Sequence, residues 1–368
     1  MPRVTFQNVT KTFSKVLALD RVSFEIANGG HLCVLGPTGS GKTTLLKLLA
    51  GLLKPDKGKI LFDGEPVNDL APQHRNAVYV PQQYALFPHL TVLENVAFGP
   101  LARGKSNSDA IEIAYKTLEL VKLSKRARAM PNELSGGMQQ RVALARGLAS
   151  GTGLILLDEP LGALDARLRL DLRHKLRDLV KQSGSTAIHV THDQAEAMSV
   201  ADEIMILRNG RIQDQGQARR VYRKPASIFA THLVGGANFF EGIVDDTVGE
   251  TALISIRGGL VVQASSKNLT PTAPVILAVR KERVRLSFSS QHVENVFQGE
   301  VRAVRFLGNS KEYLVRIQNG DLVISRRFAE GKSGAFKTGD RVMVSFLEHD
   351  AMVFEYPPEG LQKELVIE

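Results

Sequence analysis

The sequence predicts an α/β domain built on a mostly parallel sheet, followed by a small all-β domain. Three observations predict it. Up to about residue 235, short apolar runs alternate with helical patterns, as strands and helices do when helices cover a parallel sheet. From about residue 236 the helical pattern fades into short β-rich runs punctuated by Gly, Asn and Asp. Between a strand and a helix near the start lies "GPTGSGKT", Gly36 to Thr43, a glycine-rich loop. The 368 residues suffice for two domains of ordinary size. The Gly235-Gly236 pair is the natural boundary, giving residues 1–235 and 236–368.

The opening segments "RVTFQNVTKTF" and "LDRVSFEI" read as two strands joined by a turn. "HLCVLG" is a strand that feeds the helix "KTTLLKLLAGLL". "GLILLDEP" is an apolar strand ending in two carboxylates, and it precedes the basic stretch "ARLRLDLRHKLRDLVKQ" (166–182). There Leu168, Leu172, Leu176 and Leu179 recur at helical spacing, so its arginines are expected on one solvated face. "STAIHVTHD" is a further strand before the helical pattern "QAEAMSVADE". Beyond the boundary, "EGIVDDTV", "TALISIRGG", "PVILAVR", "ERVRLSF", "QGEVRAVRFLG", "KEYLVRIQNG", "DLVISRRF" and "DRVMVSFLE" read as strands of a barrel or sandwich.

Composition bounds the function. A hydrophobic content of 43% and a charged content of 23% are those of a soluble globular protein. One cysteine, Cys33, gives no disulfide framework and points to a reducing compartment. The N-terminus "MPRVTFQNVT" has no apolar core of a signal peptide. No apolar run approaches the roughly 20 residues of a membrane span, so any spans must come from another chain. The net charge of +9 admits nucleic-acid binding. A basic soluble surface explains it as well, and no nucleic-acid partner is expected.

The chemistry concentrates in a few places. "GPTGSGKT" fits the phosphate-loop pattern in full, in the strand-then-helix setting that the pattern needs. Gly39 and Gly41 let backbone wrap close around phosphate oxygens, and successive N–H groups with the helix N-terminus point at the anion. Lys42 reaches the β- and γ-phosphates, and the Thr43 hydroxyl can ligate Mg²⁺. Gly36, Pro37, Thr38, Gly39, Ser40, Gly41, Lys42, Thr43 and Thr44 are therefore the candidate ATP contacts. Asp158 suits a Mg²⁺ shell, and Glu159 suits polarising an attacking water. His192, at the end of a β-branched run, can hydrogen-bond a γ-phosphate or serve packing. Gln82 can reach Mg²⁺ or the water. Almost a hundred residues after the phosphate loop, "ELSGGMQQR" offers a second anion-binding turn at Ser135, Gly136 and Gly137.

Taken in order, these residues resemble the ATP-binding subunit of ABC transporters over the first 235 or so positions, an α/β P-loop NTPase fold. The set comprises the Walker A loop at Gly36–Thr43, a Q-loop glutamine at Gln82, the signature "LSGGM" at Leu134–Met138, Walker B ending at Asp158 with Glu159 next, a D-loop "LGALD" ending at Asp165, and a switch histidine at His192. Met138 departs from the glutamine most often found there. The resemblance implies ATP and Mg²⁺ as cofactors, with Thr43, Gln82 and Asp158 at the metal. It implies Glu159, His192 and Lys42 as catalytic residues and Phe13 as the aromatic that stacks on adenine. It implies a head-to-tail homodimer in which Ser135, Gly136 and Gly137 serve the partner's ATP. The C-terminal region resembles the OB-like barrel extension of sugar, sulfate, polyamine and ferric-iron importers, with a regulatory or dimerising role. Lys281 replaces the proline of an Arg-Pro-Glu turn there. The expected protein is thus an importer ATPase on the cytoplasmic face of the membrane, acting with integral membrane permease subunits and indirectly with a solute-binding protein. Polyamine, ferric-iron or phosphonate import is favoured over sugar or sulfate. The alternatives are an exporter ATPase and a soluble ABC-type ATPase without transport. The apolar loop residues Ala85, Leu86 and Phe87 are a candidate permease contact, or ordinary core.

Overall fold

The computed structural model describes residues 2–162, 164–266, 269–289, 294–329 and 336–366. The chain forms two compact units, the first ending at Arg223 and the second beginning at Lys224. The Gly235-Gly236 pair therefore lies inside the second unit.

In the first unit β1 (Val4–Phe13) and β2 (Val16–Ile26) form a hairpin. Then come β3 (His31–Leu35), α1 (Lys42–Ala50), β4 (Lys57–Phe62), β5 (Glu65–Pro66) and β6 (Ala77–Val80). They are followed by α2 (Val92–Ala102), α3 (Asn107–Leu120), α4 (Gly136–Ala149), β7 (Leu154–Asp158), α5 (Ala166–Ser183) and β8 (Thr186–Val190). The unit ends with α6 (Gln194–Val200), β9 (Glu203–Arg208), β10 (Arg211–Gln217) and α7 (Ala218–Arg223). Among the described residues these make an antiparallel sheet in the order β2-β1-β4-β5 and a second sheet in the order β10-β9-β3-β8-β7-β6. The second is parallel apart from the edge strand β10.

Strands β3, β7 and β8 are buried along their whole length, which is why they read as continuous apolar runs rather than alternating ones. Alternate residues still serve opposite faces. Leu154 and Leu156 join Leu45, Leu46, Leu48 and Leu49 of α1 in a core shared with the antiparallel sheet. Ile155 and Leu157 join a second core with Val96, Leu118, Val142 and Leu176 of the helices on the other face.

Helix α5 corrects one expectation. Leu172 and Leu176 are buried as predicted, but the basic residues are not simply a solvated face. Arg173 is buried and pairs with Asp193 at 3.0 Å. Arg177 and Lys181 both pair with Asp202, and Arg169 donates to the backbone carbonyls of Gly162 and Leu164. These long side chains lay their stems over apolar surface and fasten the helix to its neighbours.

The second unit holds α8 (Ile228–Leu233), β11 (Ala237–Val248), β12 (Thr251–Ile256), β13 (Leu260–Ser265), β14 (Pro274–Arg280), β15 (Arg285–Ser287), β16 (Asn295–Phe306), β17 (Ser310–Ile317), β18 (Leu322–Phe328), β19 (Arg341–Phe346), β20 (Ala351–Glu355) and α9 (Leu361–Glu364). Two antiparallel sheets, β13-β12-β11-β14-β20 and β15-β19-β16-β17-β18, enclose one core among the described residues. Strands β13 and β20 are additions to those the sequence singled out. At the altered turn, Arg280 donates to the carbonyls of Thr231 and Gly236, while Lys281 lies 3.6 Å from Glu312.

Candidate functional site

The phosphate loop spans the gap from β3 to α1, and its glycines answer to two different constraints. Gly39 and Gly41 have φ of +79° and +104°, a region glycine enters without strain. At Gly36 a Cβ would stand 2.1 Å from the carbonyl oxygen of Leu207, so there the demand is for space. Lys42 is buried and donates to the carbonyls of Gly36 at 2.9 Å and Pro37 at 2.7 Å, with Ser40 Oγ at 3.5 Å. The loop's own oxygens thus hold the ammonium beneath it. Burial pushes the Lys42 pKa down, against the upward pull of Glu159 and Asp158.

Asp158 ends β7 almost wholly buried. One of its oxygens lies 3.3 Å from the Thr43 hydroxyl, and the other accepts from the Tyr79 hydroxyl at 3.0 Å. Hydroxyl and carboxylate oxygens side by side at the foot of a phosphate loop are a donor set suited to Mg²⁺. Tyr79, on β6, was missed by sequence reasoning, because nothing local marks it as facing Asp158. Burial and the Asp158 charge drive its phenol pKa up.

Glu159 follows with a left-handed backbone, φ +48°, a costly conformation for a residue with a Cβ. Its N–H donates to Val190 O at 2.9 Å, and its carbonyl accepts from Gly162 N–H at 3.2 Å and from Gln140 Nε2 at 2.9 Å. Three elements, β8, α4 and the turn after β7, therefore fix the direction of its side chain. The Glu159 carboxylate meets Gln82 Nε2 at 3.0 Å and His192 Nδ1 at 3.4 Å. Gln82, Tyr84, Gln140, Glu159, Gly162 and His192 line an open cavity of about 300 Å³. So Gln82 and His192 stand with Glu159, and Gln82 bonds to Glu159 rather than to the Thr43–Asp158 pair. Gln140 and Tyr84 are the other members that sequence reasoning missed; Gln140 lay in plain view within "GGMQQR", but its depth became visible only with α4 placed.

The remaining residues occupy separate places. Ser135 is the N-cap of α4, its hydroxyl accepting from Met138 N–H at 3.4 Å, and Ser135 and Gly136 are exposed. A Cβ on Gly136 would meet Tyr84 Oη at 3.2 Å. Asp165 caps α5 through Leu168 N–H at 2.9 Å; Ala163 of the same stretch lies outside the described residues. Phe13 ends β1 with its ring 42% exposed and Lys11 Nζ at 5.4 Å from its centroid. Leu86 packs on the helical core, and Phe87 lies against Phe98 and Arg146. Ala85 is exposed.

The model of the ABC transporter family matches residues 19–162, and that of the TOBE domain matches residues 277–354. The chain is 39% identical over 346 residues to the spermidine/putrescine import ATP-binding protein of Rubrobacter xylanophilus, covering 93% of this chain and 91% of the relative. It is 42% identical over 321 residues to the Fe(3+) ions import ATP-binding protein of Brucella abortus, covering 87% and 90%. Among solved structures it is similar to the dimeric post-hydrolysis state of an ATP-binding cassette bound to ADP and Pi. There the TM-score is 0.55 and the identity 35%, over 59% of this chain and 99% of that one.

Proposed function

The chain belongs to the ABC transporter family of import ATP-binding subunits, and from that premise we propose how its residues divide the work of ATP-driven import through a separate permease. The observation that carries the proposal is the convergence of the buried Lys42, the Thr43–Asp158 pair and the Gln82–Glu159–His192 group around one phosphate loop.

Residues Gly36 to Thr44 wrap the phosphates, and Phe13 stacks on the base. Lys42 leaves the loop carbonyls for the β- and γ-phosphates. Thr43 and Asp158 are the residues that would hold Mg²⁺, with Gln82 as a further oxygen donor; when bound, the ion neutralises charge on the phosphates. The Glu159 carboxylate takes a proton from the attacking water. His192, already beside that carboxylate, hydrogen-bonds the γ-phosphate. Two copies of the chain pair head to tail. The Ser135–Gly137 turn, exposed at Ser135 and Gly136 and lying at the positive end of α4, then meets the ATP of the other copy, with Asp165 near the junction. The second unit stabilises the pair or receives a regulator.

Among the described residues no helix is long and apolar enough to cross a membrane. We place the subunit on the cytoplasmic face, bound to permease subunits that are loaded by a solute-binding protein. The solutes for which these relatives are named, spermidine/putrescine and Fe(3+), favour a polyamine or ferric iron as the cargo. The test is to tag the chain, extract it from its host's membranes in mild detergent and identify its companions by mass spectrometry. A stoichiometric multi-span permease is expected; recovery only with nucleic acid or assembly proteins would replace transport by a soluble role. Uptake of labelled spermidine and of labelled ferric iron in a strain lacking the chain then separates the two cargoes.

A further inference from the structure

Strands β3 and β8 are parallel neighbours with Cys33 opposite His189. His31 lies two residues before Cys33, so all three side chains stand on the same face of the sheet. One nitrogen from each imidazole and the Cys33 sulfur lie within 4.8 Å of one another. The three residues are 0–1% exposed, and the two rings stack with centroids 5.8 Å apart.

These groups lack the partners their burial calls for. Neither nitrogen of His31 nor Nδ1 of His189 makes a hydrogen bond among the described residues. His189 Nε2 lies 3.2 Å from Glu196 Oε1. Glu196, on α6, is itself buried and accepts from the Thr191 hydroxyl through its other oxygen at 2.8 Å. Buried polar side chains nearly always find partners, so several orphaned imidazole nitrogens around one thiol mark a place built for something that accepts lone pairs. Nitrogen and sulfur donors, with a carboxylate behind one imidazole, are the donor set of a zinc ion and its outer shell.

We propose that His31, Cys33 and His189 supply three ligands of a buried zinc ion inside the nucleotide-binding unit, with Glu196 orienting His189 and neutralising the site. Zn²⁺, one thiolate and one carboxylate sum to zero charge, as a dry interior requires. On binding, the Cys33 S–H bond breaks, the S–Zn bond forms and the proton leaves to water; the imidazoles bind through neutral lone pairs. In a tetrahedral site with bonds of 2.0–2.3 Å, ligand atoms stand about 3.3–3.8 Å apart. The present spacing, within 4.8 Å, exceeds this by about 1 Å at most on the sulfur side. The cluster is sealed in the core, so the ion enters during folding. It would tie together the roots of the phosphate loop, which follows β3, and of the His192 turn, which follows β8.

The experiment uses the full chain without a histidine tag, produced with zinc and dialysed against EDTA. Elemental analysis is expected to find about one zinc per chain, retained by the folded protein and released on denaturation. Zinc-edge X-ray absorption should show a sulfur ligand at about 2.3 Å. Cys33→Val and His189→Phe, which keep apolar bulk in the core, should lose the ion. If these variants fail to fold, refolding the native chain with and without zinc decides, zinc raising the midpoint of thermal unfolding. A folded native chain without zinc overturns the proposal. So does zinc that Cys33→Val retains, or an absorption spectrum with nitrogen and oxygen ligands alone.

Discussion

Replacing Glu159 by glutamine tests the proposed base with little else disturbed. The amide has the size of the carboxylate, and its oxygen can still accept from Gln82 Nε2, now at 3.0 Å. The backbone bonds to Val190, Gly162 and Gln140 do not involve the side chain, so the left-handed turn at this position should persist. One surface-facing hydrogen-bond network is altered rather than lost, and thermal stability should change by no more than about 1 kcal/mol. What is removed is the proton acceptor. General-base catalysis contributes about 10²–10⁴ in rate, equivalent to about 3–5 kcal/mol on the barrier. Steady-state phosphate release should fall by that factor. Lys42 and the loop glycines are untouched, and a negative charge beside the γ-phosphate is gone, so ATP should bind as tightly as before or more so. Phosphate release, with binding of a fluorescent ATP analogue measured in parallel, separates the two effects. Turnover within threefold of the native chain would remove Glu159 from the role.

Gly36→Ala drives a Cβ to 2.1 Å from Leu207 O, an atom of the adjoining strand that cannot yield, so a loss of about 3 kcal/mol or more and failure of nucleotide binding are expected in denaturant titration and binding assays. Asp193 uses one oxygen to cap α6 through Glu196 N–H at 2.9 Å and the other to pair with the buried Arg173. Asp193→Ala should therefore cost about 2–3 kcal/mol and Asp193→Asn clearly less, since the amide still caps; equal losses would mean that the ion pair carries the whole effect. In the second unit, burial pushes the Glu312 carboxyl up, but hydrogen bonds from Arg326 and the nearby Lys281 outweigh it and hold the pKa below its usual 4.5. A depressed carboxyl pKa stabilises the fold above pH 4.5 and loses that contribution as pH falls through the folded-state value. Glu312→Gln should flatten this acid limb of the stability curve and leave the limb above pH 5 parallel to that of the native chain; an unchanged acid limb would refute the assignment.

The chemistry was legible where it is contiguous. A phosphate loop is a run of residues whose spacing sets its own geometry, and Asp158 with Glu159 ends a strand whose apolar run is visible in the sequence. Which residues meet across the site was not legible, even where a member such as Gln82 was named, since the partners come from afar. Tyr79 reaches Asp158 across 79 positions and Gln82 reaches Glu159 across 77, because β6 pairs with β7, a neighbourhood set by sheet order rather than by local pattern. The arginines of α5 looked solvated for the same reason: periodicity gives the buried leucine stripe but is silent about Asp193 and Asp202, which arrive from later elements. In the all-β unit the alternation of strands was readable, whereas β13 and β20 were overlooked beside stronger runs.

The Gln82–Glu159 hydrogen bond bears on how a nucleotide state could leave the site. Beyond Gln82 the chain is held at several points. Arg146 donates to Ala85 O at 3.0 Å and covers the Phe87 ring. Asn95, wholly buried, bonds to both the N–H and the carbonyl of Phe87 and to the carbonyls of Leu90 and Thr91. Ala85 itself sits at φ +46°, so the stretch has little slack. A ligand that draws Gln82 away from Glu159 breaks this bond, and the displaced segment cannot absorb the motion at its far end, where Asn95 clamps it. The strain falls on residues 83–86, which include the exposed Ala85. If Gln82 reads the γ-phosphate as proposed, this stretch is the one that would pass the change to a surface lying against it, through the exchange of one hydrogen bond at Glu159.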